Sequence, residues 1–176
     1  MSGHNKWSQI KHKKAKTDGA KAKVYSKYSK LIASEARIAK GDKNSPGLRA
    51  AIERARAEDV TNDVIDRAVK KATEAGGATL ETIVYEAYGP GGVAMIIEAL
   101  TDNKNKAAQE VKHALSKNGF SLASIGSASW AFEKKEGKWN PTTTTELADA
   151  DLSLLENLVS DLEECEEVQE VFTNAE

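Results

Sequence analysis

Val93-Ala94-Met95-Ile96-Ile97-Glu98-Ala99-Leu100-Thr101, entered through the turn Gly89-Pro90-Gly91-Gly92, is the stretch on which the fold depends. It opens with the longest apolar run in the chain, far short of the roughly 18 residues a membrane span needs. A continuous apolar run bounded by turn residues reads as a strand buried on both faces, whereas a half-buried strand would alternate. Upstream, Thr79 to Tyr88 is strand-like, so the glycine-rich turn joins two strands as a hairpin.

Downstream, Asn105 to Asn118 places Ala108, Val111 and Leu115 on one helical face, with Gly119 just past the end. Ser127 to Glu133 alternates, with Ala128, Trp130 and Phe132 expected on one side. Lys134-Lys135-Glu136-Gly137-Lys138 turns into a threonine-rich strand running through Leu147. Asp149 is placed to cap a helix carrying Leu152, Leu155, Leu158, Val159 and Leu162, and Val168 to Thr173 closes with a strand. From Val93 onward the order is βαββαβ, a ferredoxin-like arrangement preceded by one extra strand.

The other half is helical. Val24, Tyr25, Tyr28, Leu31, Ile32 and Ile38 suggest one face of a helix that starts at Asp18 and ends at Gly41. Ser45-Pro46 opens a second helix with Leu48, Ile52 and Ala55 inward. Thr61 caps a third, carrying Val64, Ile65, Ala68, Val69 and Ala72 and stopped by Gly76-Gly77. The fold class is therefore α+β: a basic arm (1–17), a three-helix domain (18–77) and a ferredoxin-like α/β domain (78–176).

The net charge of the 176 residues is −2, which alone argues against a nucleic-acid partner. Its distribution says otherwise. Residues 1–30 carry nine lysines and one acid, whereas residues 138–176 carry Lys138 alone against eleven acids. The segments between are nearly neutral. Such end-to-end asymmetry points to a polyanion meeting the N-terminal end. The sequence opens with no apolar leader, and a single cysteine fits a reducing, cytoplasmic setting.

Catalytic constellations are not evident. Cys165 lies in Glu-Glu-Cys-Glu-Glu, where like charges suppress the thiolate. His4, His12 and His113 form no metal-ligand spacing, so neither a metal nor a cofactor is expected. The Gly-Pro-Gly-Gly turn joins strand to strand, whereas a phosphate loop runs from strand to helix. A non-enzyme without a small-molecule substrate is the expectation.

The arm is the stronger signal. Lys6, Lys11, Lys13, Lys14, Lys16, Lys21 and Lys23, with His12 among them, are dense enough to neutralise several phosphates. Trp7 either stacks on a base or anchors the arm onto the helical domain. Arg49, Arg54, Arg56 and Arg67 extend the basic surface or make helix-surface ion pairs with nearby acids. Lys104 and Lys106 flank a helix N-terminus at Thr101–Lys106, where backbone amides could hold a phosphate; the alternative is a cap by Asp102 or Asn103. The acidic helix at 151–167 is a second surface, suited to a basic protein partner.

Gly3–Lys14 (Gly-His-Asn-Lys-Trp-Ser-Gln-Ile-Lys-His-Lys-Lys), Leu48–Ala55, Tyr85–Ala94, Leu100–Asn105, Ser116–Gly119 and Val168–Ala175 occur in the order seen in the YebC/PmpR-type family. The chain resembles that family, which includes the mitochondrial translational activator of cytochrome oxidase subunit one. The resemblance implies a cytoplasmic, non-catalytic regulator of gene expression. Its members are described as DNA-binding transcriptional regulators, or as ribosome-binding translation factors that act on proline-rich nascent chains. Partners implied are DNA or ribosomal RNA, and no membrane. Members usually insert a further α/β domain where 134–138 forms a turn here, so a short form lacking that domain is expected.

Overall fold

A computed structural model describes residues 6–13, 18–74, 76–77 and 79–176. The chain divides into two compact units, Lys14–Leu80 and the combination of Met1–Lys13 with Glu81–Glu176.

In the first unit, α2 (Asp18–Ile38), α3 (Pro46–Ala57) and α4 (Asn62–Thr73) enclose a core of Ile32, Ala36, Leu48, Ile52, Ala55, Ile65 and Val69. The Thr61 hydroxyl accepts from the Val64 amide at 3.4 Å and starts α4 as its sequence suggests. Ser45 occupies the N-cap of α3 without a side-chain bond, leaving Pro46 to set the start. Ile38 departs from expectation and is 73% exposed. Six residues beyond Ile32 is about 240° of helical rotation, which turns it away, and Ala36 fills the core instead. Gly41, at φ +82, lets α2 end against α4: a Cβ there would lie 2.9 Å from Thr73 Cγ2.

The second unit is built on β2 (Ala94–Thr101), paired antiparallel with β1 (Glu81–Tyr88) on one side and β5 (Val168–Thr173) on the other. Both edges of β2 are thus satisfied. Met95 and Ile97 face α5 (Lys104–Lys117) and α6 (Asp149–Glu164) in a core with Val111, Leu115, Leu155 and Leu158. Ala94 and Ile96 face the opposite way, against Ala128, Ala131, Phe132 and Phe172. This is the doubly buried strand that the apolar run implied.

The α+β class and the element order agree with the sequence, but the pairing differs from a ferredoxin-like sheet. β3 (Phe132–Lys135) and β4 (Lys138–Pro141) form a separate two-stranded hairpin. The extra leading strand, β1, takes the side of β2 that an inner hairpin strand would occupy. Glu136 and Gly137, both at positive φ, close the hairpin.

Four local expectations also change. A 3-10 turn at Ser129–Ala131 interrupts the alternation before Phe132, so Ala131 is buried while Trp130 is 62% exposed. The threonine-rich segment leaves the strand at Pro141 and touches β5's end by a single bridge, Thr145 to Ala175. Ala148, not Asp149, is the N-cap of α6, and Asp149 begins the helix itself. The basic arm, finally, to which the sequence assigns no element, is helical over Lys6–Lys13, α1.

Ile97 is fully buried in the centre of β2. Ile97→Ala is expected to lower stability by about 2–5 kcal/mol in denaturant unfolding, through lost burial plus the cavity left behind.

Candidate nucleic-acid interface

The described residues of the N-terminal segment, Lys6–Lys13, form α1, a helix of about two turns that packs on the α/β unit. Trp7 is 7% exposed and sits in the same cluster as Leu152, Leu155 and Val159, with Ile10 packed beside it. Trp7 is therefore packed on the α/β unit, not on the helical domain that the sequence suggested. An indole so enclosed has no face open to a base. At 100° per residue Trp7 and Ile10 share one side of the helix, which is why two apolar residues suffice to dock it.

Lys6 extends from the same helix to Asp149 at the start of α6, forming an ion pair with a hydrogen bond. The Lys6 ammonium holds the Asp149 carboxyl below its ordinary range. Lys11, His12 and Lys13 lie on α1, but their side chains fall outside the described residues, as do Lys14, Lys16 and His4 altogether. Lys21 and Lys23 are exposed on α2, in the helical unit.

The two lysines near the α5 N-terminus are engaged by acids. Lys104 pairs with Glu81 at 2.8 Å. Lys106 pairs with Glu166 at 2.6 Å and Glu167 at 3.1 Å, and these carboxylates raise its pKa above the ordinary lysine value. The Asn103 side chain accepts from the Lys106 amide at 3.1 Å, and the Thr101 hydroxyl accepts from the Asn103 amide at 2.8 Å. The geometry here is a helix cap with a charge latch to the α6–β5 turn.

Arg67 bonds Asp63 at 2.7 Å, the helix-surface ion pair that the sequence left open, and Arg56 donates to Asn62 at 3.2 Å. His113 is exposed on α5, and the Cys165 thiol lies 3.5 Å from the Asp161 carbonyl. Among the described residues, no group of three His, Cys, Asp or Glu side chains is placed to hold a metal ion. Nor is any described helix long and apolar enough to cross a membrane.

Sequence reasoning missed a buried carboxylate. Glu86, 6% exposed on β1, accepts from the amides of Gly126 and Ala128 at 2.7 Å and of Ser129 at 2.8 Å. Burial pushes its pKa up, but these amides outweigh burial and hold the carboxyl below its ordinary range. The loop pinned this way presents Ile125 and Trp130 to solvent. The Trp130 indole N–H donates to the Tyr88 hydroxyl at 2.9 Å, and that hydroxyl donates to the Ser127 carbonyl. The available signal was an acid in a strand whose neighbours are apolar.

A helical unit, a mixed α/β unit and a lysine-rich segment seated as a helix on the latter define a two-unit α+β protein with excess lysine at its N-terminal end and excess acid at its C-terminal end. The chain belongs to the TACO1/YebC family: residues 5–75 match the model of the TACO1/YebC protein N-terminal domain, and residues 80–137 that of the TACO1/YebC second and third domain. A "Probable transcriptional regulatory protein" of Thermoanaerobacter pseudethanolicus is 50% identical over 136 residues, covering 76% of this chain and 55% of that protein. One from Thermotoga maritima is 50% identical over 137 residues, covering 77% and 54%. The chain spans about half the length of these curated relatives. Among solved structures, a conserved hypothetical protein from Aquifex aeolicus, Aq1575, superposes with a TM-score of 0.77 at 26% identity, over 92% of this chain and 93% of that one.

Two outcomes follow from this geometry. Trp7→Ala should undock α1 and speed tryptic cleavage at Lys11 and Lys13 on the order of tenfold to a hundredfold, with the rest of the unit folded. Because the Glu86 pKa is lowered on folding, its stabilisation is present above the ordinary value of 4.5 and is lost as pH falls through the folded value. Glu86→Gln should therefore cost about 1–3 kcal/mol at pH 7 in chemical unfolding, and progressively less below pH 4.5.

Proposed function

We propose that this protein is a non-catalytic, nucleic-acid-binding regulator of gene expression working in the cytoplasm. The lysines of the N-terminal end are its phosphate contacts. The observation that carries the reading is the charge layout: nine lysines against one acid in residues 1–30 of a chain that is otherwise neutral or acidic. Phosphate neutralisation with release of counterions is what such a segment does best. The names of the relatives, which are probable transcriptional regulatory proteins, support a regulator at the level of the family.

Seating α1 on a folded unit strengthens the physical case. Lysines on a docked helix lose less conformational freedom on binding than lysines on a free tail, so less of the phosphate attraction is spent on ordering. Lys104 and Lys106, already paired with acids, would contribute only after exchanging those partners. Trp7 serves by holding the helix, while Lys6, Lys11, Lys13, Lys14, Lys16, Lys21 and Lys23 with His12 meet the backbone of the nucleic acid. The acids of residues 138–176 repel a polyanion and restrict how it approaches the lysines.

The test keeps Trp7 in place. Replacing Lys11, Lys13, Lys14 and Lys16 together with glutamine should weaken binding of a mixed-sequence duplex by tenfold or more. The slope of log affinity against log salt should fall by roughly 3–4, as four lost phosphate contacts require. Unchanged affinity and slope would refute the reading. Crosslinking in cells and sequencing of the attached nucleic acid separates the two targets: promoter DNA supports transcription, and ribosomal RNA supports translation.

A further inference from the structure

We propose that Asp149 is an internal competitor for the polyanion: it holds Lys6 in the unbound protein and releases it when a phosphate arrives. The inference rests on the reading of the N-terminal lysines as phosphate contacts and adds a regulatory contact to it.

The chain sets its two most strongly charged ends against one another. The lysine-rich end is docked as α1 on α6, in the half of the chain where residues 138–176 carry eleven acids. The apolar docking is made by Trp7 and Ile10 against the α6 leucines, and it would persist without any ion pair. The Lys6–Asp149 pair is therefore an addition to the contact. Its two side chains are 62% and 85% exposed, and they line a cleft of about 250 Å³ between α1 and α6 together with Gln9, Ile10, Leu152 and Ser153. An incoming anion can reach Lys6 without moving α1.

Energetics set the scale. An exposed pair of this kind contributes little, so a phosphate surrounded by further lysines outcompetes a single carboxylate. Asp149 also lies in the first turn of α6 with Asp151, where the positive end of the helix dipole already favours negative charge. It therefore keeps a partner after Lys6 leaves. Exchange of Lys6 is thus cheap in both directions, which is what a competitor for a polyanion requires. The consequence is a modest handicap on any anion that must displace the carboxylate, overcome most readily by a continuous phosphate backbone.

The experiment compares Asp149→Asn with Glu146→Gln in the full chain. Both remove one negative charge from neighbouring exposed positions, but only the first frees Lys6. Probes are a mixed-sequence DNA duplex, a single-stranded RNA and heparin, at 50 and 200 mM salt. Asp149→Asn is expected to tighten binding two- to fivefold beyond Glu146→Gln at 50 mM, with the excess shrinking at 200 mM. In a Lys6→Ala background the excess should vanish. Equal effects of the two variants, or an excess that survives Lys6→Ala, would overturn the proposal. Heparin binding without nucleic-acid binding would refute the proposed function and leave the competition to be scored on heparin. Absence of binding to all three would refute both.

Discussion

Burial of β2 on both faces and pairing along both edges is the constraint on which the α/β unit depends. Ile96 and Ile97 are consecutive and fully buried, yet they belong to opposite cores, because side chains alternate across a strand. One core needs two helices, α5 and α6; the other needs the 3-10 turn and the β3–β4 hairpin. Removing either layer exposes half of the longest apolar run in the chain. Each of these side chains contributes about 1.5–3 kcal/mol by leaving water, so neither layer is dispensable.

The same constraint positions the features with functional content. β1 occupies one edge of β2, and it carries Glu86, whose carboxylate gathers three amides from the loop ahead of β3. α6 covers the helix-side core, and its leucines provide the seat for Trp7. Lys6, Lys11 and Lys13 are therefore attached to the α/β unit by the apolar packing of α1, and Lys6 also pairs with Asp149. The packing and the ion pair are physically separate, since burial is insensitive to salt while the ion pair is screened by it.

Most of the element order could be read from the sequence, because apolar period and end signals are local properties. Thr61 capping α4 and the helical face of Leu152, Leu155, Leu158 and Leu162 are of this kind, whereas the sequence narrows the cap of α5 only to Asp102 or Asn103. Errors arose where one period masked another. Trp130 looked inward because Ala128 and Phe132 flank it at strand spacing, but a 3-10 turn shifts the phase and puts Ala131 inside. Ile38 looked inward because it continues an apolar series, although its rotation carries it to solvent. Of the candidate site, the lysine density was plain in the sequence; the fact that Lys104 and Lys106 are already paired with Glu81, Glu166 and Glu167 was not, since those partners lie far away along the chain.

The sequence alone determined the α+β class, the doubly buried strand and the segregation of charge, because each follows from composition and period within a few residues. Only the tertiary structure decided which strands pair, where Trp7 goes and which lysines are already occupied. Those outcomes depend on competition between distant segments: β1 displaces the hairpin from the side of β2, and α6 offers Trp7 an apolar surface. Local patterns fix what a segment can bury. They do not fix which of several complementary surfaces it meets.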